Sequence, residues 1–325
     1  MEGTLRLGSS TSRRAARRGR LWSVVLAAGQ GCRLRDTVRG LLGATLPKQF
    51  CRLGGAGTLL QESVDRLASR VPGARTVVVV SREHRAVARE QLAGRACRIV
   101  SQPADRGTAA GLALALPPIL RRDPDAIVVV QPSDTGIADD AAFLEGIDTA
   151  VRAGGIVLLG VGSAGPSTDY GWILCGGVGG PLRSVDGFVE RPPYDAAARL
   201  HRGGHLSNTM VLVARARDLF DLIADVVPGV ALPIADAWRD ARPAQALRAA
   251  YDTLPRADFS RDVLQRAAGL RAYAWPARLG WSDLGTPDRL LSWLRGRGPG
   301  ELARRLEDLL GGIPGVASGL RTMSG

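Results

Sequence analysis

Apolar residues fall in short unbroken runs through the first half of the chain. Thr76-Val77-Val78-Val79-Val80 and Ala126-Ile127-Val128-Val129-Val130 are rich in β-branched residues with no polar alternation, a pattern suited to strands covered on both faces. Between such runs lie stretches of helical length. Strands are expected at 23–28, 76–80, 98–101 and 126–131, and helices at 59–69, 83–92, 108–120 and 139–151. The alternation predicts an α/β fold with a doubly wound, mostly parallel sheet between helix layers.

The second half is less regular. It predicts strands at 156–160, 170–176, 207–213 and 271–275 and helices at 215–226 and 287–295, read as a continuation of the sheet with a covering subdomain. Residues 296–300 look like a break. Beyond them Leu302, Leu306 and Leu309 mark one side of a short amphipathic helix, a packing element. The chain thus divides into an arm at 1–20, one large domain at 21–295 and a helical tail at 296–325.

With 325 residues and 45% apolar content, the chain can bury a sizeable core. The formal charge of +12 raises nucleic-acid binding, but the arginines are spread along the chain and aromatics make up only 5%, which argues against it. Part of the excess is local, because Arg6, Arg13, Arg14, Arg17, Arg18 and Arg20 face only Glu2 in the first stretch. That arm cannot bury enough to fold alone. A signal peptide would consume 21–28, which the domain needs as its first strand. No apolar run approaches the ~18 residues of a membrane span. Cys32, Cys51, Cys97 and Cys175 form no C-x-x-C pair, so neither zinc nor a disulfide framework is indicated and a reducing cytoplasm fits. His84, His201 and His205 lack metal-ligand spacing. Of the 43 basic residues, only Lys48 is lysine.

The first strand runs into Leu26-Ala27-Ala28-Gly29-Gln30-Gly31-Cys32-Arg33-Leu34. Glycines after a buried strand let backbone N–H groups approach phosphates, although a plain tight turn explains the pair equally well. A dinucleotide fingerprint does not fit, since Leu34 stands where the third glycine belongs. Lys48 follows in Pro47-Lys48-Gln49-Phe50. A compact ammonium kept in a chain otherwise rich in arginine favours a functional role over a solvated loop position. Asp134 ends the strand at 126–131, and Asp283 lies in Trp281-Ser282-Asp283-Leu284-Gly285.

Together these segments resemble the sugar-1-phosphate nucleotidyltransferase family in order across about residues 21–293, and Pro47–Phe50 resembles its mannose-1-phosphate guanylyltransferase branch most. The resemblance implies a Rossmann-like fold with a sugar-binding subdomain, a nucleoside triphosphate (GTP in that branch) and a hexose 1-phosphate as substrates, and Mg²⁺ as cofactor. It assigns catalytic roles to Arg33, Lys48 and Asp134, with Mg²⁺ on Asp134 and Asp283. Nucleotide contacts would come from Leu26, Ala27, Gly29 and Gly31, and from Gln102, Arg106, Gly107 and Thr108 in Ser101-Gln102-Pro103-Ala104-Asp105-Arg106-Gly107-Thr108. Gly171, Glu190, Arg191 and Asn208 would hold the sugar phosphate, with Gly171 admitting the ring.

The base and the sugar stay open at this point. Gln102 stands where guanylyltransferases carry glutamate, and an amide offers one donor and one acceptor, which matches uracil or thymine as well as guanine. Thr135, Ser207 and Thr209 also depart from the family pattern. A non-catalytic nucleotide sensor on the same fold would explain those departures but has no need of both aspartates and Lys48. A homodimer is left open, and neither nucleic acid nor membrane is expected as a partner.

Overall fold

The computed structural model of the protein describes residues 20–43, 45–176, 180–298 and 300–311; the basic arm and the end of the tail lie outside them. The described strands are β1 (Leu21–Ala27), β2 (Thr76–Ser81), β3 (Arg98–Gln102), β4 (Ile127–Pro132), β5 (Val157–Gly162), β6 (Gly171–Gly176), β7 (Leu182–Glu190), β8 (Leu206–Arg215) and β9 (Arg271–Trp275). They form one sheet in the order β3-β2-β1-β4-β8-β5-β9-β7-β6. The helices are α1 (Arg35–Leu42), α2 (Leu59–Arg66), α3 (Arg85–Gln91), α4 (Thr108–Arg122), α5 (Asp140–Ala153), α6 (Tyr194–Arg202), α7 (Ala216–Val226), α8 (Pro228–Arg239), α9 (Pro243–Thr253), α10 (Pro287–Gly296) and α11 (Glu301–Gly311).

The β-branched runs behave as buried parallel strands. β1 pairs in parallel with β2 and β4, and β2 with β3. Successive residues serve opposite faces, as the strand period requires. Val24, Val77, Val79 and Val128 join a core under α4, α7, α8 and α9. Val25, Val78 and Val80 pack with Leu60, Val64 and Ala88 of α2 and α3, while Val129 joins Phe143 and Ile147 of α5. Beyond β4 the sheet becomes mixed. β8 enters antiparallel between β4 and β5, β9 runs parallel to β5, and the β6–β7 pair is antiparallel.

A separate cluster joins distant parts of the chain. Leu34, Val38 and Leu41 at α1 pack with Leu290, Leu291 and Leu294 of α10 and with Ala303, Leu306 and Leu310 of α11. The tail helix is therefore a strut beneath two segments that carry site residues, Arg33 before α1 and Asp283 before α10. No helix among the described residues is long and apolar enough to cross a membrane.

Candidate active site

Parallel pairing places the carboxyl ends of β1 to β4 along one edge: Ala27 lies opposite Val80, Ser81 opposite Gln102, and Leu26 opposite Pro132. Ligands of open α/β sheets bind at such an edge. The loop after β1 turns at Gly31, whose φ of 60° is left-handed and whose position is packed against Pro47 and the Lys48 backbone nitrogen. Glycine is needed there because a Cβ disfavours that conformation. The Gln49 amide donates to the Ala27 and Gly29 carbonyls at 3.2 and 2.7 Å. The glycine loop and the Pro-Lys-Gln-Phe turn are thus one unit. Leu26 contributes its carbonyl to the Ser133 N–H at 3.0 Å, which joins the ends of β1 and β4.

The two aspartates are brought together by backbone. Gly136 and Ser282 pair reciprocally, with N–H to carbonyl distances of 2.8 and 3.0 Å, so Asp134 and Asp283 flank a single antiparallel bridge. Lys48 fills the space between them. It is only 5% exposed, its Nζ lies 3.3 Å from Asp134 Oδ2, and it donates to the carbonyls of Asp283 and, at 3.1 Å, Leu284. Leu284 has a φ of 47°, an uncommon conformation for a branched side chain; both carbonyls about that residue serve Lys48. A solvated loop lysine is excluded by this burial.

Asp283 is the hub of the charges. Arg33 reaches its Oδ2 at 3.4 Å, Arg289 lies 3.3 Å from both its oxygens, and the Tyr170 hydroxyl donates to Oδ1 at 3.1 Å. Burial raises the Tyr170 pKa and the Asp283 charge raises it further, so the phenol stays protonated. Asp134 is the more open acid, with its side chain 40% exposed. A cleft of about 820 Å³ opens beside this cluster, with Ser163, Thr168, Tyr170, Ser207, Trp281 and Arg289 on its wall. Another hollow, of about 550 Å³ near Arg20, Asp125 and Arg215, sits at the opposite end of the strands, away from the clustered charges.

Gln102 ends β3 with its side chain buried, its Nε2 near Gly111 and its Oε1 without a hydrogen-bond partner. A buried acceptor without a partner is costly, and Gln131 Oε1 on β4 is left in the same way. Its neighbours are placed differently. Arg106 donates to the carbonyls of Tyr251 and Asp252 at 2.9 and 3.1 Å. Thr108 Oγ1 donates to Asp258 and accepts from the Phe259 N–H at 2.7 Å. Gly107 has a φ of 86°, and a Cβ there would overlap the Ala257 carbonyl oxygen. These three knit the start of α4 to the end of α9 and the segment after it.

Gly171 and Glu190 are register partners on β6 and β7. The space a Cβ would take at Gly171 already holds the Phe188 ring and the Glu190 carboxylate, so the glycine accommodates the protein's own side chains there. Glu190 lies 3.4 Å from the Arg191 Nε, and Arg191 itself has a left-handed φ of 47°. The Asn208 Oδ1 accepts from the Met210 N–H at 3.2 Å.

A profile for nucleotidyl transferases matches residues 22–295. The chain belongs to that family. It is 31% identical over 279 residues to xanthan biosynthesis protein XanB of Xanthomonas campestris pv. campestris, a match covering 82% of this chain and 58% of XanB. It is 30% identical over 285 residues to mannose-1-phosphate guanylyltransferase of Escherichia coli, again covering 82% of this chain and 58% of the relative. The chain thus spans little more than half the length of these curated relatives. A solved structure named mannose-1-phosphate geranyltransferase, from Thermus thermophilus, superposes with a TM-score of 0.71 at 29% identity, covering 82% of this chain and 76% of that one.

Gln49, Tyr170, Asp169 and Arg289 join this cluster without having been singled out by sequence. Gln49 sits inside Pro47–Phe50, and Asp169 and Tyr170 directly precede Gly171, but their placement depends on contacts across the fold. Burial raises the Glu190 pKa and Asp258 adds to it, with Arg191 and Arg261 opposing. The native state therefore holds that proton more tightly than the unfolded chain. The associated stability is full below the ordinary glutamate pKa of about 4.3 and is lost as pH rises through the raised native value. Glu190→Gln is expected to melt higher than wild type at neutral pH, the gap closing as pH falls below about 4. Paired melting curves across that range check it; a gap that does not depend on pH removes Glu190 as its source.

Proposed function

We propose that the chain joins a hexose 1-phosphate to a nucleoside triphosphate, releasing pyrophosphate, with mannose 1-phosphate and GTP as its preferred pair. The observation that carries the reading is the buried Lys48, held between Asp134 and the carbonyls beside Asp283 directly behind the glycine loop. The E. coli relative's name supports the choice of pair.

In this reaction an oxygen of the sugar phosphate bonds to the α-phosphorus. The bond from that phosphorus to the α–β bridging oxygen breaks, and pyrophosphate leaves with the electron pair. Such transfers are driven by positioning and electrostatics. Arg33, on the glycine loop and half exposed, would neutralise the departing pyrophosphate. Lys48 supplies a fixed point charge toward the α-phosphate. Glu190 and Asn208 would orient sugar hydroxyls, and Arg191 would hold the 1-phosphate. Gln102 Oε1 would accept an N–H from the base.

The donor set fits Mg²⁺. Asp134 and Asp283 offer hard carboxylate oxygens on two bridged segments, a donor set suited to an ion held by one or two carboxylates plus substrate phosphates. When bound, the ion would draw charge from the phosphates. A pyrophosphate-release screen crossing the common NTPs with hexose 1-phosphates tests the reading. Highest turnover is expected with GTP and mannose 1-phosphate. Turnover only with UTP or dTTP overturns the guanylyl choice and keeps the reaction class, while no release from any pair with Mg²⁺ favours the sensor.

A further inference from the structure

Arg289 is the most connected cation of the cluster. Thr286 caps α10 by accepting the Arg289 backbone N–H at 3.3 Å, which fixes the residue in the first turn of the helix. Its guanidinium then divides its donors. One nitrogen lies 3.3 Å from both oxygens of Asp283, and the other donates to Asp169 Oδ2 at 2.7 Å. The same group stacks 4.8 Å above the Tyr170 ring, and Tyr170 returns a hydrogen bond to Asp283. Trp281 meets the Tyr170 ring edge-on at 5.3 Å. A planar fork can hold two carboxylates and an aromatic face at once, and an ammonium cannot.

Arg33 contacts the same carboxylate from a different position. It comes from the glycine loop, is 53% exposed and sits at 3.4 Å, whereas Arg289 is 28% exposed and anchored at both ends. The geometry points to Arg289 as a positioning residue: its bridge from Asp169 to Asp283 holds the Asp283 carboxylate in one orientation while Arg33 is free to exchange it for substrate phosphate. This rests on the transferase reading above. The bridge ties the segment before α10 to the approach to the strand that carries Gly171, so the acid and the sugar-side strand keep one relative position.

The test uses Arg289→Gln, Arg289→Lys, Asp169→Asn and the Arg289→Gln/Asp169→Asn double variant of the full chain. Misplacing a reacting group by about an ångström can cost up to ~10²-fold, so Arg289→Gln is expected to lose about 10-fold or more in kcat, with the KM for the sugar phosphate within about 2-fold. Arg289→Lys retains the charge but breaks the bridge, and it should fall nearly as far. The double variant should be no slower than Arg289→Gln alone, because both changes cut one bridge. Mn²⁺ binding to the nucleotide-free protein, read by electron paramagnetic resonance, should not weaken, since a cation beside the carboxylate has been removed. Wild-type kcat in Arg289→Gln, full rescue by lysine, or a joint fall of Mn²⁺ affinity, kcat and Tm would each overturn the proposal. A wild-type protein silent with every substrate pair overturns the transferase reading and this inference with it.

Discussion

Asp134→Asn and Asp283→Asn are each expected to lose about 10²-fold or more in turnover, because an amide cannot supply the charge that a site working by electrostatics places against Mg²⁺ and phosphate. Their stabilities should differ. Asp134 is 40% exposed but is the ion-pair partner of the buried Lys48, so its replacement lowers Tm modestly. Asp283 balances Arg33 and Arg289 and accepts from Tyr170 and the Gly285 N–H. Its replacement leaves two guanidinium groups with less counter-charge in a half-closed site, and a larger fall in Tm follows. Measuring kcat over a Mg²⁺ titration together with Tm separates the two effects. Unchanged turnover and unchanged Mg²⁺ dependence in Asp134→Asn would end the two-aspartate reading.

The parallel half of the sheet was legible because each α/β unit carries its own local signal. A run such as Thr76–Val80 is buried on both faces, and nothing outside it decides that it is a strand. β7 left no such trace. Leu182–Glu190 interleaves Arg183, Ser184, Asp186 and Gly187 with its apolar residues and is only partly buried, so neither period stands out. The second-half helices α6, α8 and α9 also went unread: α8 carries Pro233 inside it, and α9 opens on Pro243. The antiparallel entry of β8 between β4 and β5 is a long-range choice that no window of sequence contains.

The site shows the same division. Lys48 could be picked out by chemistry, as the only lysine in a chain with 43 basic residues. Arg289 could not, because arginine is the commonplace residue here and its neighbours Asp169 and Tyr170 lie more than a hundred positions away. Arg106 shows how partners escape a sequence reading. It is expected to contact the nucleotide from the 101–108 segment, and in the fold its guanidinium donates to two carbonyls at the end of α9. Local sequence signals the residue type a site needs, while the partners that use it are set by topology.

Lys48→Arg is expected to cost about 10-fold or more in kcat although it keeps the charge. Lys48 sits in a pocket sized for an ammonium, 5% exposed, with its donors on the carbonyls of Asp283 and Leu284 and its charge against Asp134. A guanidinium is planar and larger. It would press on the Leu284 turn, whose φ of 47° leaves the backbone little room to yield, and overpacking of this kind costs about 1–3 kcal/mol. Tm should therefore fall along with turnover. The charge is still matched to the substrate phosphates in the ground state, but its position at the α-phosphorus is lost, so the kinetic effect belongs in kcat more than in KM. Lys48→Met separates the two causes, since it fits the space and removes the charge. It should hold kcat at or below the arginine level, with the two carbonyls left without their donor. If both variants turned over like wild type, Lys48 would be a buried structural cation, and the chemistry would have to be sought elsewhere along the edge formed by β1 to β4.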